Sequence, residues 1–135
     1  MHTLPLQIRF NDVDMMGHIN NAVIMEFFDL GKSQYFAAAG IPVTPEEGDF
    51  TVMVVHIEVD FHSQIHWHDQ IAVTSCVSNC GNKSLRVKQQ IIDTVTGKPY
   101  ATCSTVMSGY SRCAAASAVI PEEIKTRVQR YDSEN

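Results

Sequence analysis

The sequence predicts an α+β fold in which one long helix packs against an antiparallel β-sheet. Apolar residues recur at helical spacing from Asn21 to about Ala39, and Gly40 and Pro42 follow them as stop signals. Apolar and polar residues then alternate from Val55 to Phe61, which is the pattern of a strand with one buried face. A helix long enough to cross a whole sheet, followed by several strands, is typical of this fold class.

The predicted elements follow one another in the order strand, long helix, antiparallel meander, short helix. A first strand covers Thr3 to Phe10, where apolar residues partly alternate. The segments CGNK and TVTGK carry hairpin-turn residues and separate the later strands. These strands cover Gln70 to Asn79, Ser84 to Thr94, and Pro99 to Tyr110. A short helix from Pro121 to about Arg130 closes the chain, with Pro121 at its first position.

Composition and charge limit the class of protein. A chain of 135 residues, 44% of them hydrophobic, fits one globular domain over residues 1–135. The formal net charge of -5 gives no general attraction to a phosphate backbone, so nucleic acid is not an expected partner. No apolar run approaches the ~20 residues of a membrane span, and the first residues lack a leader pattern. Because the four cysteines also lack paired spacing, we expect a cytoplasmic protein with free thiols.

The segment NDVDMMGHINN, between the first strand and the long helix, concentrates side chains that are capable of chemistry. If Asn20 is the N-cap, the backbone N–H groups of the first helical turn, including that of Asn21, lack intrahelical acceptors at the positive end of the helix dipole. Such donors form a potential oxyanion hole. Asp14 precedes them by only a few residues, and Gly17 allows a tight turn or a positive φ between the two.

The longer segment FNDVDMMGHINNAVIMEFFDLGK resembles the D-x-D-x-x-G-H-x-N-N signature of hotdog-fold acyl-CoA thioesterases in the 4-hydroxybenzoyl-CoA thioesterase group. The resemblance continues through VDFHSQIHWHDQIAVTSCVSNCGNKSLRVKQQI and covers the chain from about Gln7 to Tyr110. It implies a hotdog fold, with a long central helix wrapped by a curved antiparallel β-sheet. It also implies a homodimer or homotetramer whose active sites lie at the subunit interface.

The resemblance further implies hydrolysis of an acyl-CoA thioester to CoA and a free acid, without a cofactor. It places the catalytic acid on Asp14, which would act as a nucleophile or as a general base; the sequence does not choose between these roles. The Asn21 N–H is the expected oxyanion donor, and His18 the expected supporting residue. The residues expected to bind the substrate are Gly17, Asn20, Ile24, His56, Lys83, Ser84 and Arg86.

Other functions are compatible with the same residues. The basic residues near Lys83 suit acyl carrier protein as well as CoA, and a non-catalytic acyl-thioester binding protein would need the same fold. In a purely structural role, the motif would only cap the helix, and Asp12 is interpreted as such a capping or orienting residue. The histidines His62, His66 and His68 resemble a zinc set, but no acid or thiol clearly completes it, so we expect no metal.

Overall fold

The computed structural model describes residues 1–135 as one antiparallel sheet with two helices. The sheet has six strands in the order β1-β3-β4-β5-β2, and β6 pairs with β5. Neither helix is long and apolar enough to cross a membrane. The elements are β1 (His2–Leu6), α1 (Asn21–Ala39), β2 (Phe50–Phe61), β3 (Ile71–Cys80), β4 (Ser84–Asp93), β5 (Pro99–Ser111), β6 (Ala116–Ser117) and α2 (Glu122–Glu134).

The long helix and both predicted hairpins are confirmed. Helix α1 begins directly after Asn20 and ends at Gly40, whose φ of 83° suits a glycine in the left-handed region. Its buried face packs on the sheet in two adjoining clusters. Phe27 and Phe28 pack with Val73 and Ile91 in one cluster, and Phe36 packs with residues of β2, β4, β5 and α2 in the other.

Strand β1 is shorter than predicted. It ends at Leu6, where its register with β3 stops at Ile71, and residues 10–12 form a 3-10 turn. The physical reason is local: Asp12 accepts hydrogen bonds from Arg9 and folds the chain back before Phe10 can extend the strand. The prediction of a strand as far as Phe10 is therefore wrong.

Strand β2 differs from the prediction in both its partner and its burial. It starts at Phe50 and pairs with β5 at the edge of the sheet, so only β3, β4 and β5 form a meander. Alternation predicted one buried face, yet Val55, Ile57 and Phe61 are exposed in the single chain. The register also shifts between Val54 and His56, as at a β-bulge. No strand pairs with the outer edge of β2.

The closing helix is longer than predicted and begins one residue later. Pro121 is the N-cap of α2 rather than its first helical residue, and the helix continues past Arg130 to Glu134. The carboxylate of Asp132 accepts hydrogen bonds from the Tyr35 hydroxyl at 2.8 Å and from the Val77 N–H at 3.0 Å. These contacts tie the last turn of α2 to α1 and β3, which explains why the helix does not stop earlier.

The close approach of α1 to the sheet depends on Gly31. A Cβ atom at this position would lie 2.5 Å from Val73 Cγ1 and 2.8 Å from Cγ2. We predict that Gly31→Ala lowers the free energy of unfolding. Overpacking costs about 1–3 kcal/mol and outweighs the gain of about 1 kcal/mol in helix propensity.

Urea unfolding of Gly31→Ala, Val73→Ala and the double variant tests this explanation. Truncating Val73 removes both methyl groups that the new Cβ would meet, so Gly31→Ala should be neutral or stabilising in the Val73→Ala background. An equal cost of Gly31→Ala in both backgrounds would show that this contact does not determine the spacing.

Candidate active site

Asp14 lies in a tight, internally bonded turn ahead of α1. Its backbone N–H donates to the His18 carbonyl at 2.9 Å, and its carbonyl accepts from the Gly17 N–H at 3.0 Å. Gly17 has a φ of 81°, a conformation that L-residues with side chains rarely adopt. Val13 and Ile19 form an isolated antiparallel bridge across the base of the turn. The expected role of Gly17 as a turn residue is therefore confirmed.

The Asp14 carboxylate is held by one of its two oxygens. Oδ1 accepts hydrogen bonds from the Met16 N–H at 2.9 Å and from the His18 N–H at 3.5 Å. Oδ2 has no hydrogen-bond partner within the protein. The side chain is half-buried. One oxygen therefore fixes the orientation of the group, while the other remains available to a ligand or a water molecule.

Asp12 is a structural residue, as interpreted from the sequence. It is 1% exposed, and it accepts hydrogen bonds from Arg9 N at 2.8 Å, Arg9 Nε at 3.2 Å and an Arg9 terminal nitrogen at 2.8 Å. The side-chain hydrogen bonds of Arg9 lower the pKa of Asp12, against burial, which raises it. The Asp12 carbonyl accepts from the Asn20 N–H at 3.0 Å and so links the loop to the helix cap.

The start of α1 offers a free backbone donor. Asn20 is the N-cap: its Oδ1 accepts from the Ala22 N–H at 2.8 Å, and its carbonyl accepts from the Val23 and Ile24 N–H groups. The Asn21 N–H has no acceptor within the protein. This donor lies at the positive end of the helix dipole, where a developing negative charge is stabilised.

One cavity of about 520 Å³ brings most of these groups together. It also has a wall that the sequence did not predict, formed by the end of β2 and the following loop. The Ile19 N–H donates to the Ile65 carbonyl at 2.8 Å, and His18 pairs with His66, so this loop lies against the motif. The lining residues are Asp14, Met16, His18, Ile19, Asn20, Asn21, Ile24, Phe61, His62, Ser63, Gln64 and Ile65.

The histidines around this cavity are not arranged around a common point. The His18 ring packs edge-to-face on the His66 ring, with centroids 5.1 Å apart, and no hydrogen bond joins it to the Asp14 carboxylate. His62 Nε2 lies 3.0 Å from Thr102 Oγ1. His66 Nδ1 lies 3.6 Å from a carboxylate oxygen of Asp69. The His18 and His66 rings therefore contact each other, whereas His62 contacts a different residue on β5.

Four other predicted site residues lie away from this cavity within the chain. His56 contacts Glu58 at 3.0 Å, and Arg86 donates to Ser104 Oγ at 2.7 Å on the same face of the sheet. Ser84 pairs with Ser108, which pairs with Met53, and Lys83 directly precedes Ser84. Met53 is eight residues, or roughly 26 Å, from Phe61 along β2. Because Phe61 lines the cavity, Lys83 and Ser84 lie far from it within one chain.

Comparison with known proteins places the chain among thioesterases. Residues 8–128 match the family described as the thioesterase-like superfamily, whereas a search of curated protein sequences found no match. A Thermus thermophilus thioesterase solved with coenzyme A and zinc is 28% identical, with a TM-score of 0.83 over 97% of this chain and 93% of that one.

Two more distant solved structures share the fold. A 1,4-dihydroxy-2-naphthoyl-CoA thioesterase from Synechocystis is 17% identical, with a TM-score of 0.83 over 96% of each chain. A Staphylococcus aureus protein in complex with CoA is 18% identical, with a TM-score of 0.86 over 96% of this chain and 82% of that one.

The predicted hotdog fold is thereby confirmed, because these structures have the same curled antiparallel sheet around a long helix. The family match covers most of the chain, including the motif, helix α1 and every strand except β1. The chain belongs to the thioesterase-like superfamily and is a thioester hydrolase.

Proposed function

We propose that this chain hydrolyses acyl-CoA thioesters, with Asp14 as the reacting carboxylate and the Asn21 N–H as the oxyanion donor. One observation carries the proposal: Asp14 and Asn21 line the same cavity, and Asp14 Oδ2 and the Asn21 N–H have no partners within the protein. Hydrolysis of a thioester needs both an attacking or proton-accepting group and a donor for the carbonyl oxygen. The motif supports placement in the 4-hydroxybenzoyl-CoA thioesterase-like group.

The oxyanion site follows from the geometry of the cap. A thioester carbonyl oxygen that accepts from the Asn21 N–H becomes more negative as the carbon is attacked. The N–H and the helix dipole are already oriented, so they stabilise that charge without reorganisation. Asn20 holds the first turn in place, and Gly17 lets the Asp14 turn close beside it.

Two balanced routes use the Asp14 carboxylate. As a nucleophile, it attacks the carbonyl carbon, the C–S bond breaks, and CoA leaves as a thiolate that takes up a proton; water then cleaves the mixed anhydride and restores Asp14. As a general base, Asp14 takes a proton from water, the hydroxide attacks the carbon, and the departing thiolate receives the proton. Both routes need a free carboxylate oxygen, such as Oδ2.

The apolar wall of the cavity is suited to the acyl group. Ile24 projects from the first turns of α1 and is buried, and Phe61 and Ile65 come from the opposite wall. His18 has a supporting role at the edge of the cavity, where its backbone N–H contacts Asp14 and its ring packs on His66.

We propose that CoA is the carrier. The Thermus thermophilus and Staphylococcus aureus structures were solved with CoA, and the first of these is 28% identical to this chain. An acyl carrier protein would need the same thioester chemistry at the cavity, so a carrier-protein substrate remains the alternative.

The active form is proposed to be a homodimer, alone or paired into a homotetramer. Strand β2 has an unpaired edge and exposes Met53, Val54, Val55 and Ile57, with Val55 63% exposed. An exposed apolar edge strand of 12 residues favours association with another strand. A second copy, paired antiparallel along β2 about a two-fold axis, would cover both the edge and the side chains.

This dimer would also bring the distant predicted residues to the site. Antiparallel pairing places the Phe50 end of the partner's β2 beside Phe61, which lines the cavity. Lys83 and Ser84 of the partner subunit lie toward that end and would approach the polar part of CoA. His56 and Arg86 would lie nearer to the middle of the interface. The single-domain extent over residues 1–135 and the cytoplasmic location stay predictions from the sequence.

Replacing Asp14 by Asn tests the chemistry directly. We expect Asp14→Asn to lower kcat by about 100-fold or more, because the amide neither attacks nor accepts the proton. Thiol release is measured against short, medium, long and aromatic acyl-CoAs and against an acyl carrier protein ester. Glu134→Gln makes the same acid-to-amide change at an exposed position without side-chain contacts and should leave turnover unchanged. Near wild-type turnover in Asp14→Asn would exclude this residue, and turnover of the acyl carrier protein ester alone would favour the alternative carrier.

Replacing Asn20 tests the role of the helix cap. Asn20→Ala removes the acceptor for the Ala22 N–H, which should cost about 1 kcal/mol of stability and lower kcat by loosening the first turn. Asn20→Asp keeps an acceptor oxygen, so it should restore stability and most of the turnover. Unfolding curves and kcat are measured on both variants. Full activity in a destabilised Asn20→Ala would separate the cap from the oxyanion site.

Replacing Val55 tests the proposed interface. Val55→Lys puts a charge on the exposed edge strand, so the dimer should dissociate toward a monomer with lower thioesterase activity. Light scattering coupled to size-exclusion chromatography measures the mass. Val95→Lys is the matched control, since Val95 is also exposed but lies in the hairpin between β4 and β5. A wild-type monomer, or an unchanged mass in Val55→Lys, would contradict this interface.

A further inference from the structure

The middle of α1 carries a lysine whose side chain is almost removed from water. Lys32 is 9% exposed in its side chain, and its only acceptor is Asp29 Oδ1 at 3.4 Å. An ammonium group has three donors, so most of its hydrogen-bonding capacity is unused. Asp29, by contrast, is 73% exposed in its side chain. A buried charge with one long contact is costly, which calls for further partners.

Both residues lie on the flank of α1 away from β1, toward the side of the sheet that ends in β5 and β2. The opposite flank carries Phe27 and Leu30, which line a groove with Leu4 and Leu6 of β1 at the other edge of the sheet. Asp29 and Lys32 are three residues apart and occupy the other side of the helix. Cys103, which pairs with Val59 of β2, lies close enough for both charges to act on its thiol.

Helix α1 runs antiparallel to β2, and their middles coincide. At one end, Asn21 and Ile24 line the cavity with Phe61. At the other end, Phe36 packs in one cluster with Val52. Asp29 and Lys32 occur midway along α1, opposite the middle of β2. A two-fold axis through the middle of the β2 edge would therefore pass beside this pair.

We propose that Asp29 and Lys32 form a reciprocal ion-pair cluster with Lys32 and Asp29 of the partner subunit. The inference rests on the homodimer of the proposed function. The same two-fold that pairs the β2 strands sets the two α1 helices side by side in opposite directions. The Asp29–Lys32 pair of one chain then meets the same pair of the other chain. Asp29 faces the partner's Lys32, and Lys32 faces the partner's Asp29. The exposed carboxylate of each chain supplies an acceptor that the buried ammonium of the other lacks.

A pair of charge-complementary variants tests this arrangement. Asp29→Lys gives each chain two cations at the patch, and Lys32→Asp gives each chain two anions. Each variant alone should dimerise at least about tenfold more weakly than the wild type, because like charges meet across the axis. An equimolar mixture should form a heterodimer, and its thioesterase activity should return with the dimer. Analytical ultracentrifugation measures the masses, and a size tag on one variant identifies the heterodimer.

Matched variants separate this effect from general changes of charge and folding. Glu26→Lys makes the same kind of charge reversal on the exposed side of α1 and should leave the wild-type dimer unchanged. Circular dichroism checks each fold. If Lys32→Asp does not fold, Lys32→Gln replaces it, and this neutral chain should relieve the repulsion of Asp29→Lys in a mixture. Lys32→Gln mixed with Asp29→Asn should also favour the heterodimer over either homodimer, because only the heterodimer has one Asp29–Lys32 ion pair across the axis.

The outcomes distinguish the two proposals. A monomeric wild type would overturn the proposed dimer, and the ion-pair cluster with it. A dimeric wild type whose folded charge variants each still dimerise as strongly would overturn the cluster alone, because the pair would then act only within one chain. Folded charge variants that stay monomeric on mixing would also overturn it, because opposite charges would then fail to restore the contact. Recovery of a dimer only in the mixture would support the contact across the axis.

Discussion

The positions of Asp14 and the Asn21 N–H, the two groups proposed to act on the thioester, depend on the buried carboxylate of Asp12. Arg9 donates to this carboxylate from its backbone and from its guanidinium, while the Asp12 carbonyl accepts from the Asn20 N–H. A buried carboxylate without partners is costly, so the pair strongly favours one path of the chain. That path ends β1, folds the chain through the Asp14 turn and delivers Asn20 to the start of α1. The distance between the Asp14 carboxylate and the Asn21 N–H therefore depends on a residue that needs no contact with a ligand in the cavity.

Backbone hydrogen bonds fix the other wall of the cavity. The Ile19 N–H donates to the Ile65 carbonyl, and the N–H groups of His62 and Ser63 both donate to the Tyr100 carbonyl. The loop after β2 is thus bonded to the motif on one side and to β5 on the other. Because each bond joins backbone to backbone, the wall position is largely independent of side-chain identity. Substitutions in this wall can then change the shape of the cavity without moving Asp14 or Asn21.

Local signals made part of the structure predictable. Asn20 as the cap, Gly17 at positive φ and Gly40 at the end of α1 each follow from the conformational preferences of one residue. The pairing of β2 with β5, and the contact of Ile65 with Ile19, depend instead on residues far apart in sequence. Period-two alternation indicates a strand but not its neighbour. For this reason the motif half of the cavity was predicted and its opposite wall, including Phe61 and Gln64, was not.

The alternation of β2 predicted a buried face that is exposed in the single chain, and this mismatch is informative. A strand with Val55, Ile57 and Phe61 on one face has the composition of a buried strand, yet that face is exposed in the single chain. The adjacent flank of α1 carries a buried lysine with too few acceptors, and Lys83, which is expected to meet CoA, lies roughly 26 Å from the cavity. Each feature alone is a cost or a mismatch. One two-fold axis beside β2 would cover the strand, supply an acceptor to Lys32 and bring the basic residues of one chain to the cavity of the other.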